Sequence, residues 1–289
     1  MEKVTLYIPC YNSAEFIGSC LDAVMKQTYP IDEILIIDDG STDDTVKFAS
    51  RYNVKIIKHG KNRGLASARN TAFNEARNEF IASLDADCVA DIDWLEHLME
   101  CFKDGNIVGV GGKLIEKHFV SVADRWRIAH MSQHWGNDFI LNPHFLYGSN
   151  NVYKKASVQS IGLYDEKLKN NNEDVDISLR FYANKFKLAY NPQAIAQHLK
   201  QDTVGSLLRS YWHWTRSAHI NIYNKFNIKR RAASRLALIL KITEKFSRED
   251  IKKLKLDLLF IDLILAPYFI YLDVLNLIKQ VCGRIRLNS

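Results

Sequence analysis

The chain has 289 residues, 47% of them hydrophobic and 25% charged, with only 5 Pro and 13 Gly. That is enough apolar chain for one or two packed domains, and too little Pro and Gly for long disordered linkers. The net charge of +6 divides unevenly: residues 1–202 carry 23 basic against 27 acidic side chains (net −4), and residues 203–289 carry 16 against 6 (net +10).

The first ninety residues alternate strand and helix. Val4–Ile8 reads as a buried strand and Pro9-Cys10-Tyr11-Asn12 as a loop. A helix follows, with Asn12 and Glu15 spaced like a capping box and Ile17, Leu21, Val24 and Met25 on one face. Glu33–Ile37 is the next strand and ends in Asp38-Asp39. Gly40-Ser41-Thr42 turns into a helix over Asp43–Tyr52, and Val54–Lys58 is a third strand. Gly60–Gly64 is a loop, Ala66–Asn78 a helix and Phe80–Leu84 a fourth strand. This βαβαβαβ order predicts an α/β fold, a Rossmann-like, mostly parallel sheet with helices on both faces. Ligands of such sheets bind outside the strands' C-terminal ends. Pro9–Asn12, Asp38-Asp39 and Asp85-Ala86-Asp87 all fall there, so they should gather at one crevice.

Asp85 and Asp87 stand two residues apart just beyond a strand, a spacing that sends both carboxylates to the same face. Such a pair suits Mg²⁺ or Mn²⁺ shared with substrate phosphates, although a solvated acidic turn has the same appearance. Gly109–Gly112 reads as a turn. Residues 113–147 have no clean period. Glu173-Asp174 opens a helix over Val175–Phe186, where acidic residues also favour the helix dipole. His198 follows the strand-like Ala194–Gln197.

The last ninety residues differ in kind. Tyr211-Trp212-His213-Trp214 precedes Arg216, and Lys229-Arg230-Arg231 and Arg235 follow, a mixture that fits a lipid headgroup zone. Leu258–Ile278 is nearly all apolar, broken by Asp262, Pro267, Asp273 and Asn276. At helical spacing Asp262, Asp273, Asn276 and Gln280 form one narrow polar stripe. The preferred reading is a helix lying in the membrane interface, with a helix packed on protein as the alternative. The long apolar segment argues against nucleic acid as the partner of the basic end.

Missing motifs narrow the chemistry. There is no G-x-G-x-x-G after the first strand and no G-x-x-x-x-G-K-[ST], which argues against a dinucleotide dehydrogenase and a P-loop NTPase. No Cys/His cluster has zinc spacing and no G-x-S-x-G elbow occurs. The five cysteines (Cys10, Cys20, Cys88, Cys101, Cys282) form no C-x-x-C pair and are odd in number, which suggests reduced thiols in a cytosolic setting. No charged segment with a long apolar run precedes Val4, so no signal peptide is expected.

An ordered set of motifs over residues 1–200 resembles the family 2 glycosyltransferases of the GT-A fold. It comprises Pro9-Cys10-Tyr11-Asn12, Asp38-Asp39-Gly40-Ser41-Thr42-Asp43, Asn62-Arg63-Gly64, Arg69-Asn70, Asp85-Ala86-Asp87, Gly148-Ser149-Asn150-Asn151, Gly162-x-Tyr164-Asp165-Glu166, and Asn172-Glu173-Asp174 leading to Arg180. The resemblance implies transfer of a sugar from a nucleotide-diphosphate donor, UDP-linked and with inversion, to a lipid-linked or cell-surface glycan. It implies donor contacts from Pro9, Tyr11, Asn12, Asp39, Gly64, Arg69, Asp85 and Ala86, with Tyr11 stacking on the base and Asp39 accepting a base N–H. It implies Mn²⁺ or Mg²⁺ on Asp87, Asp85 and His198, where His198 is otherwise an ordinary hydrogen-bonded residue. Asp174 is expected as the base and Glu173 as its or the acceptor's orienting partner, with Asp176 a rival, and Trp135 and Asn150 are expected at the acceptor.

The expected organisation is a GT-A catalytic domain over 1–202 and a helical, basic, membrane-associating region over 203–289, held peripherally on the cytoplasmic face of the membrane. Two alternatives are a sugar-nucleotide pyrophosphorylase and a non-catalytic membrane-bound subunit that keeps the nucleotide pocket. A pyrophosphorylase should carry a glycine- and basic-rich loop where this chain has Pro9–Asn12. A non-catalytic subunit would not need Asp85, Asp87 and Asp174 intact.

Overall fold

The computed structural model describes residues 1–103, 106–168, 171–217 and 235–287. Lys229-Arg230-Arg231 and the side chains of Arg235, Gln280 and Cys282 lie outside that description. The chain divides into two compact units, one of Met1–Lys117 with Ser132–Lys200, the other of His118–Met131 with Gln201–Ser289.

Among the described residues of the first unit, one sheet holds nine strands. They are β1 (Val4–Cys10), β2 (Glu33–Asp38), β3 (Lys55–Lys58), β4 (Phe80–Leu84), β5 (Cys88–Ala90), β6 (Ile107–Glu116), β7 (Ile140–Leu141), β8 (Asn150–Lys154) and β9 (Lys187–His198). Their order is β3-β2-β1-β4-β8-β6-β9-β5, with β7 on β9. β1 to β4 pair in parallel, as the helix crossovers between them require, whereas β5 pairs antiparallel with β9. β8 then runs antiparallel to both β4 and β6, with Leu84 opposite Asn150. That reversal matters for the site, because it carries Gly148-Ser149, the residues leading into β8, to the C-terminal end of β4.

Helices cover both faces. One core joins α1 (Ile17–Val24) and α4 (Trp94–Glu100) to the sheet through Ile17, Leu21, Trp94 and Leu98. The other joins α3 (Leu65–Glu75), α6 (Lys155–Ser160) and α7 (Glu173–Ala183) through Phe73, Val158, Ile177 and Phe181. β1 and, apart from the partly exposed Ile34, β2 are buried on both sides, which is why they read as continuous apolar runs rather than alternating ones.

Two local expectations fail. Gly109–Gly112 is not a turn but the middle of β6. A Cβ on Gly109 would lie 2.4 Å from the Tyr153 ring, and one on Gly112 would lie 2.2 Å from Ala194 O. The glycines therefore serve close strand and side-chain approach, which a glycine run also signals. Asn12 does not cap α1, whose N-cap is Phe16 without a side-chain bond. Asn12 adopts φ 50° and its Oδ1 accepts from Thr42 N at 2.8 Å, tying the loop after β1 to the loop after β2.

In the second unit, α5 (Val122–His130), α8 (Val204–Ser217), α9 (Arg235–Lys252) and α10 (Leu259–Leu287) share a core of Trp126, Leu207, Trp212, Phe246, Ile261 and Phe269. Tyr211 and Trp212, expected near headgroups, face inward here. Trp212 is buried and its Nε1 donates to Asp273 Oδ1 at 2.9 Å. The polar stripe of α10 likewise turns toward protein, with Asp262 Oδ1 accepting from Trp126 Nε1 at 2.8 Å. The face left outward is apolar: Phe260, Leu263, Ile270, Tyr271, Val274, Leu277 and Ile278 are all exposed. Leu259–Lys279 is long and apolar enough to cross a membrane by length and composition. Cys10, Cys20, Cys88 and Cys101 are free thiols, and burial pushes the Cys20 thiol far above its ordinary range.

Candidate active site

Arg69, on α3, organises the site. Its side chain is 1% exposed, so it is neither a surface helix charge nor an open phosphate contact. Nη1 donates to Tyr7 Oη at 3.1 Å, Ser83 Oγ at 2.9 Å and Gly148 O at 2.8 Å. Nη2 stands 3.6 Å from Asp85 Oδ1, and Nε stands 3.4 Å from Glu173 Oε1. A planar guanidinium presents five donors in fixed directions, and here they gather three hydrogen-bond acceptors and two carboxylates. Gly148 must lack a side chain for this, since its Cβ would sit 2.5 Å from Arg69 Nη2.

The acidic pair after β4 lies on one side of Arg69. Burial and the neighbouring Asp87 push the Asp85 carboxyl up to about 6, against the pull of Arg69. Burial also opposes ionisation of Asp87, but its hydrogen bond and charge attraction to His198 prevail and hold it below the ordinary carboxylate range. His198 Nε2 is 3.3 Å from Asp87 Oδ2, and Nδ1 is 2.7 Å from Glu116 Oε2. Burial works against protonating His198, yet those two carboxylates carry it up to about 9. Glu116 was not legible as a partner of His198; only the β6–β9 register sets them opposite each other.

These residues fit a divalent cation. Two carboxylates and an imidazole are a donor set that Mn²⁺ accepts, and Glu116 orients the imidazole as outer partners of metal ligands do. Asp85 Oδ1 is buried without a hydrogen-bond partner. Ala86, between them, is buried and belongs to the core that α1 and α4 share with the sheet.

Glu173 and Asp174 open α7 on the other side of Arg69. Glu173 is buried, with Oε2 unpartnered. Asp174 is partly exposed; its Oδ2 accepts from Gly148 N at 3.2 Å and its Oδ1 from its own helix's Val175 N at 2.8 Å. Burial raises both carboxyls above the ordinary range, and the charge of Asp174 raises Glu173 further. Asp176, the rival base, is fully buried and paired with Arg180 Nε at 2.8 Å, so an acceptor cannot reach it.

The expected donor side is mixed. Tyr11 is half-exposed and Asn12 exposed, while Pro9 is buried inside β1. Asp39 is buried and already engaged. Oδ1 meets His59 Nδ1 at 2.6 Å and Arg63 N at 2.9 Å, and Oδ2 accepts from Gly64 N at 2.8 Å. Asp39 thereby fixes the loop before α3, with Gly64 at φ 97°, a conformation that favours glycine. His59 was not foreseen in this role; nothing in its local sequence distinguishes it.

On the acceptor side, Asn150 is a correction. It is fully buried, Oδ1 accepts from Trp94 Nε1 at 2.6 Å, and Nδ2 donates to Lys113 O and Ala194 O at 3.2 Å. Its amide is committed to the sheet and has nothing left for an acceptor. Trp135 is partly buried and joins His144, Phe145 and Tyr147 in one aromatic group with centroids 5.1–5.6 Å from the indole. Tyr147 directly precedes Gly148, the residue whose N–H meets Asp174.

A mixed sheet of this order, with acidic residues gathered at the C-terminal end of β4 and the head of α7, has the architecture of a GT-A glycosyltransferase. The chain belongs to glycosyl transferase family 2, whose sequence profile matches residues 5–162. It is 27% identical over 231 residues to a poly-beta-1,6-N-acetyl-D-glucosamine synthase of Staphylococcus epidermidis, covering 76% of this chain and 55% of that protein. The Staphylococcus aureus synthase is likewise 27% identical, over 233 residues, with the same coverage of each chain. The chain thus spans about half the length of the curated relatives it matches. Two solved structures share the fold. The Pyrobaculum calidifontis mannosyltransferase PcManGT, in complex with GDP-Man and Mn²⁺, gives a TM-score of 0.60 at 20% identity, covering 83% of this chain and 68% of that one. S. aureus TarS residues 1–349, in complex with UDP-GlcNAc, gives 0.55 at 18% identity, covering 76% and 67%.

Proposed function

We propose that this protein transfers a sugar from a nucleotide-diphosphate donor, UDP-linked, to a hydroxyl of a lipid-linked or cell-surface glycan, with inversion. The observation that carries the reading is the Arg69 clamp. One buried guanidinium lies 3.6 Å from Asp85 and 3.4 Å from Glu173, which ties a diphosphate end and a base end to one rigid point. Preorganisation of this kind lets both ends act on one bond without rearrangement.

Asp174 is the base. It is the reachable member of its pair, and its raised pKa brings its proton affinity nearer to the task of accepting a hydroxyl proton near neutral pH. As the acceptor oxygen bonds to the sugar's anomeric carbon, the carbon–oxygen bond to the diphosphate breaks and the hydroxyl proton moves to Asp174. Glu173, buried against Arg69, positions α7 and with it Asp174. Asp87 and His198, with Asp85, would hold Mn²⁺ or Mg²⁺, which when bound offsets the charge that develops on the departing diphosphate. Tyr11 offers an exposed ring face to the base. Asp39 shapes the adjoining loop and retains acceptor capacity for a base N–H. Trp135 and Tyr147 supply aromatic faces to the acceptor sugar.

The second unit seats on anionic lipid at the cytoplasmic face, through the outward apolar stripe of α10 and the basic charge of residues 203–289. A helix whose polar stripe faces protein and whose apolar stripe faces out has the polarity of a lipid contact, not that of a helix lying on a water-facing surface.

The test is donor turnover by purified protein with UDP-N-acetylglucosamine, UDP-glucose or GDP-mannose, with Mn²⁺ or EDTA. The reading expects turnover of a UDP-sugar that needs the cation and is lost in Asp87→Ala. Undiminished turnover in EDTA would remove the cation from the scheme, and turnover confined to GDP-mannose would overturn the donor.

A further inference from the structure

The second unit contains a buried polar group that the transfer reaction does not use. His130 ends α5, Asp250 lies near the end of α9, and Asp262 lies in the first turn of α10. The side chains of His130 and Asp250 are 2% and 1% exposed, and Asp262 is fully buried. One ligand atom from each lies within 4.8 Å of the other two. His130 Nε2 meets Asp250 Oδ2 at 2.9 Å. Three further atoms are buried without a hydrogen-bond partner: His130 Nδ1, Asp250 Oδ1 and Asp262 Oδ2.

The surroundings are chiefly aromatic, with the Ser247 side chain hydrogen-bonded to Asp262. Phe246 lies 4.1 Å from the His130 ring and Trp126 4.9 Å, centroid to centroid. The charged groups felt by Asp262 are Asp250 and His130. Two carboxylates share at most one compensating imidazolium, and buried charges without full compensation are costly. Orphaned oxygens in such a site call for a ligand.

From this geometry we infer that His130, Asp250 and Asp262 form a structural site for a zinc-class divalent cation that clasps α5, α9 and α10 together. One imidazole and two carboxylates neutralise the ion's charge, and they are donors such an ion takes in a four-coordinate shell, with water completing it. Trp126 Nε1, which donates to Asp262 Oδ1 at 2.8 Å, orients that carboxylate as outer partners of ligands do. Metal–ligand distances of about 2.0–2.2 Å set tetrahedral ligand atoms roughly 3.3–3.6 Å apart, so the widest pair closes by about 1.5 Å at most and the His130 Nε2–Asp250 Oδ2 pair, at 2.9 Å, opens slightly. The three ligands are distant in sequence, so the ion would stabilise the folded unit over the unfolded chain.

The test uses the full chain in detergent with Asp85→Asn and Asp87→Asn, which removes the carboxylates assigned to the other cation. After dialysis against Zn²⁺ the protein should hold about one equivalent and melt several degrees higher than after chelation. Adding Asp250→Asn should abolish the bound metal and the thermal shift. No bound metal in the parent, or no thermal shift, overturns the inference whether or not the Asp250 variant folds. Equal binding with Asp250→Asn or with His130→Gln assigns the metal to other side chains and also overturns it. The readout is metal content and melting, so it stands apart from sugar transfer.

Discussion

Replacing Asp174 by Asn separates the base from the binding site, because the two side chains have nearly the same shape. The amide cannot take the acceptor proton, so kcat should fall by roughly 10²–10⁴-fold, the range for loss of a general base. The structure adds a second consequence. The Asp174 oxygens accept two backbone N–H groups, Gly148 N at 3.2 Å and Val175 N at 2.8 Å. Asn has one oxygen, so one of these donors must face an NH₂ group. An unpaired, partly buried donor costs about 1–3 kcal/mol. For a chain of this size that is a fall in Tm of roughly 2–10 °C. The variant should therefore be folded, somewhat less stable, nearly inactive, and unimpaired in nucleotide binding. Single-turnover transfer, calorimetric titration of the nucleotide and thermal melting read the three quantities separately. A variant that lost nucleotide affinity but kept kcat would make Asp174 a binding residue and refute the assignment.

Gly148→Ala should act at a distance through Arg69. Its Cβ, 2.5 Å from Nη2, must push the guanidinium or the β8 start aside at about 1–3 kcal/mol, so transfer should drop while Ala at the open Gly60 position does little; full activity in Gly148→Ala would remove the clamp from the scheme. The pH profile of kcat/KM should show an acid limb with an apparent pKa above the ordinary carboxylate range. Burial raises Glu173 and Asp174 together, and activity is lost as pH falls and the pair protonates. A limb near pH 4, the value of a free carboxylate, would contradict this. Tyr11→Ala should raise the donor KM with kcat largely kept, and an unchanged KM would take the half-exposed ring away from the base. Protein bound to anionic vesicles should be released only partly at 1 M salt, where the Debye length falls to about 3 Å. Leu263→Glu with Leu277→Glu on the outward stripe should complete the release, whereas intact protein left in the low-salt supernatant would make the stripe an interface of another kind.

The local alternation of apolar runs and breakers determined the βαβαβαβ beginning of the chain, and with it the prediction that three loops meet at one edge. Parallel strands joined by helices have one handedness, so their C-terminal ends fall together without further information. The acidic motif after β4, the Glu173-Asp174 head of α7 and the apolar α10 were legible in the same way, because each depends on neighbours in sequence.

Partners chosen by register were not legible. Antiparallel β8 brings Gly148 to Arg69, and the β6–β9 pairing puts Glu116 against His198; neither follows from residue spacing. Burial was equally hidden. Asn150 and Arg69 have polar side chains that sequence reads as available, yet the first is spent in the sheet and the second sits at 1% exposure. The direction of α10 was the last such choice. Its polar stripe was visible in the sequence, but only the packing of α5 and α8 decided that Trp126 and Trp212 would occupy that stripe and leave the apolar face outward. Sequence spacing determines which side chains share a face, whereas the partners available in three dimensions determine which way that face turns.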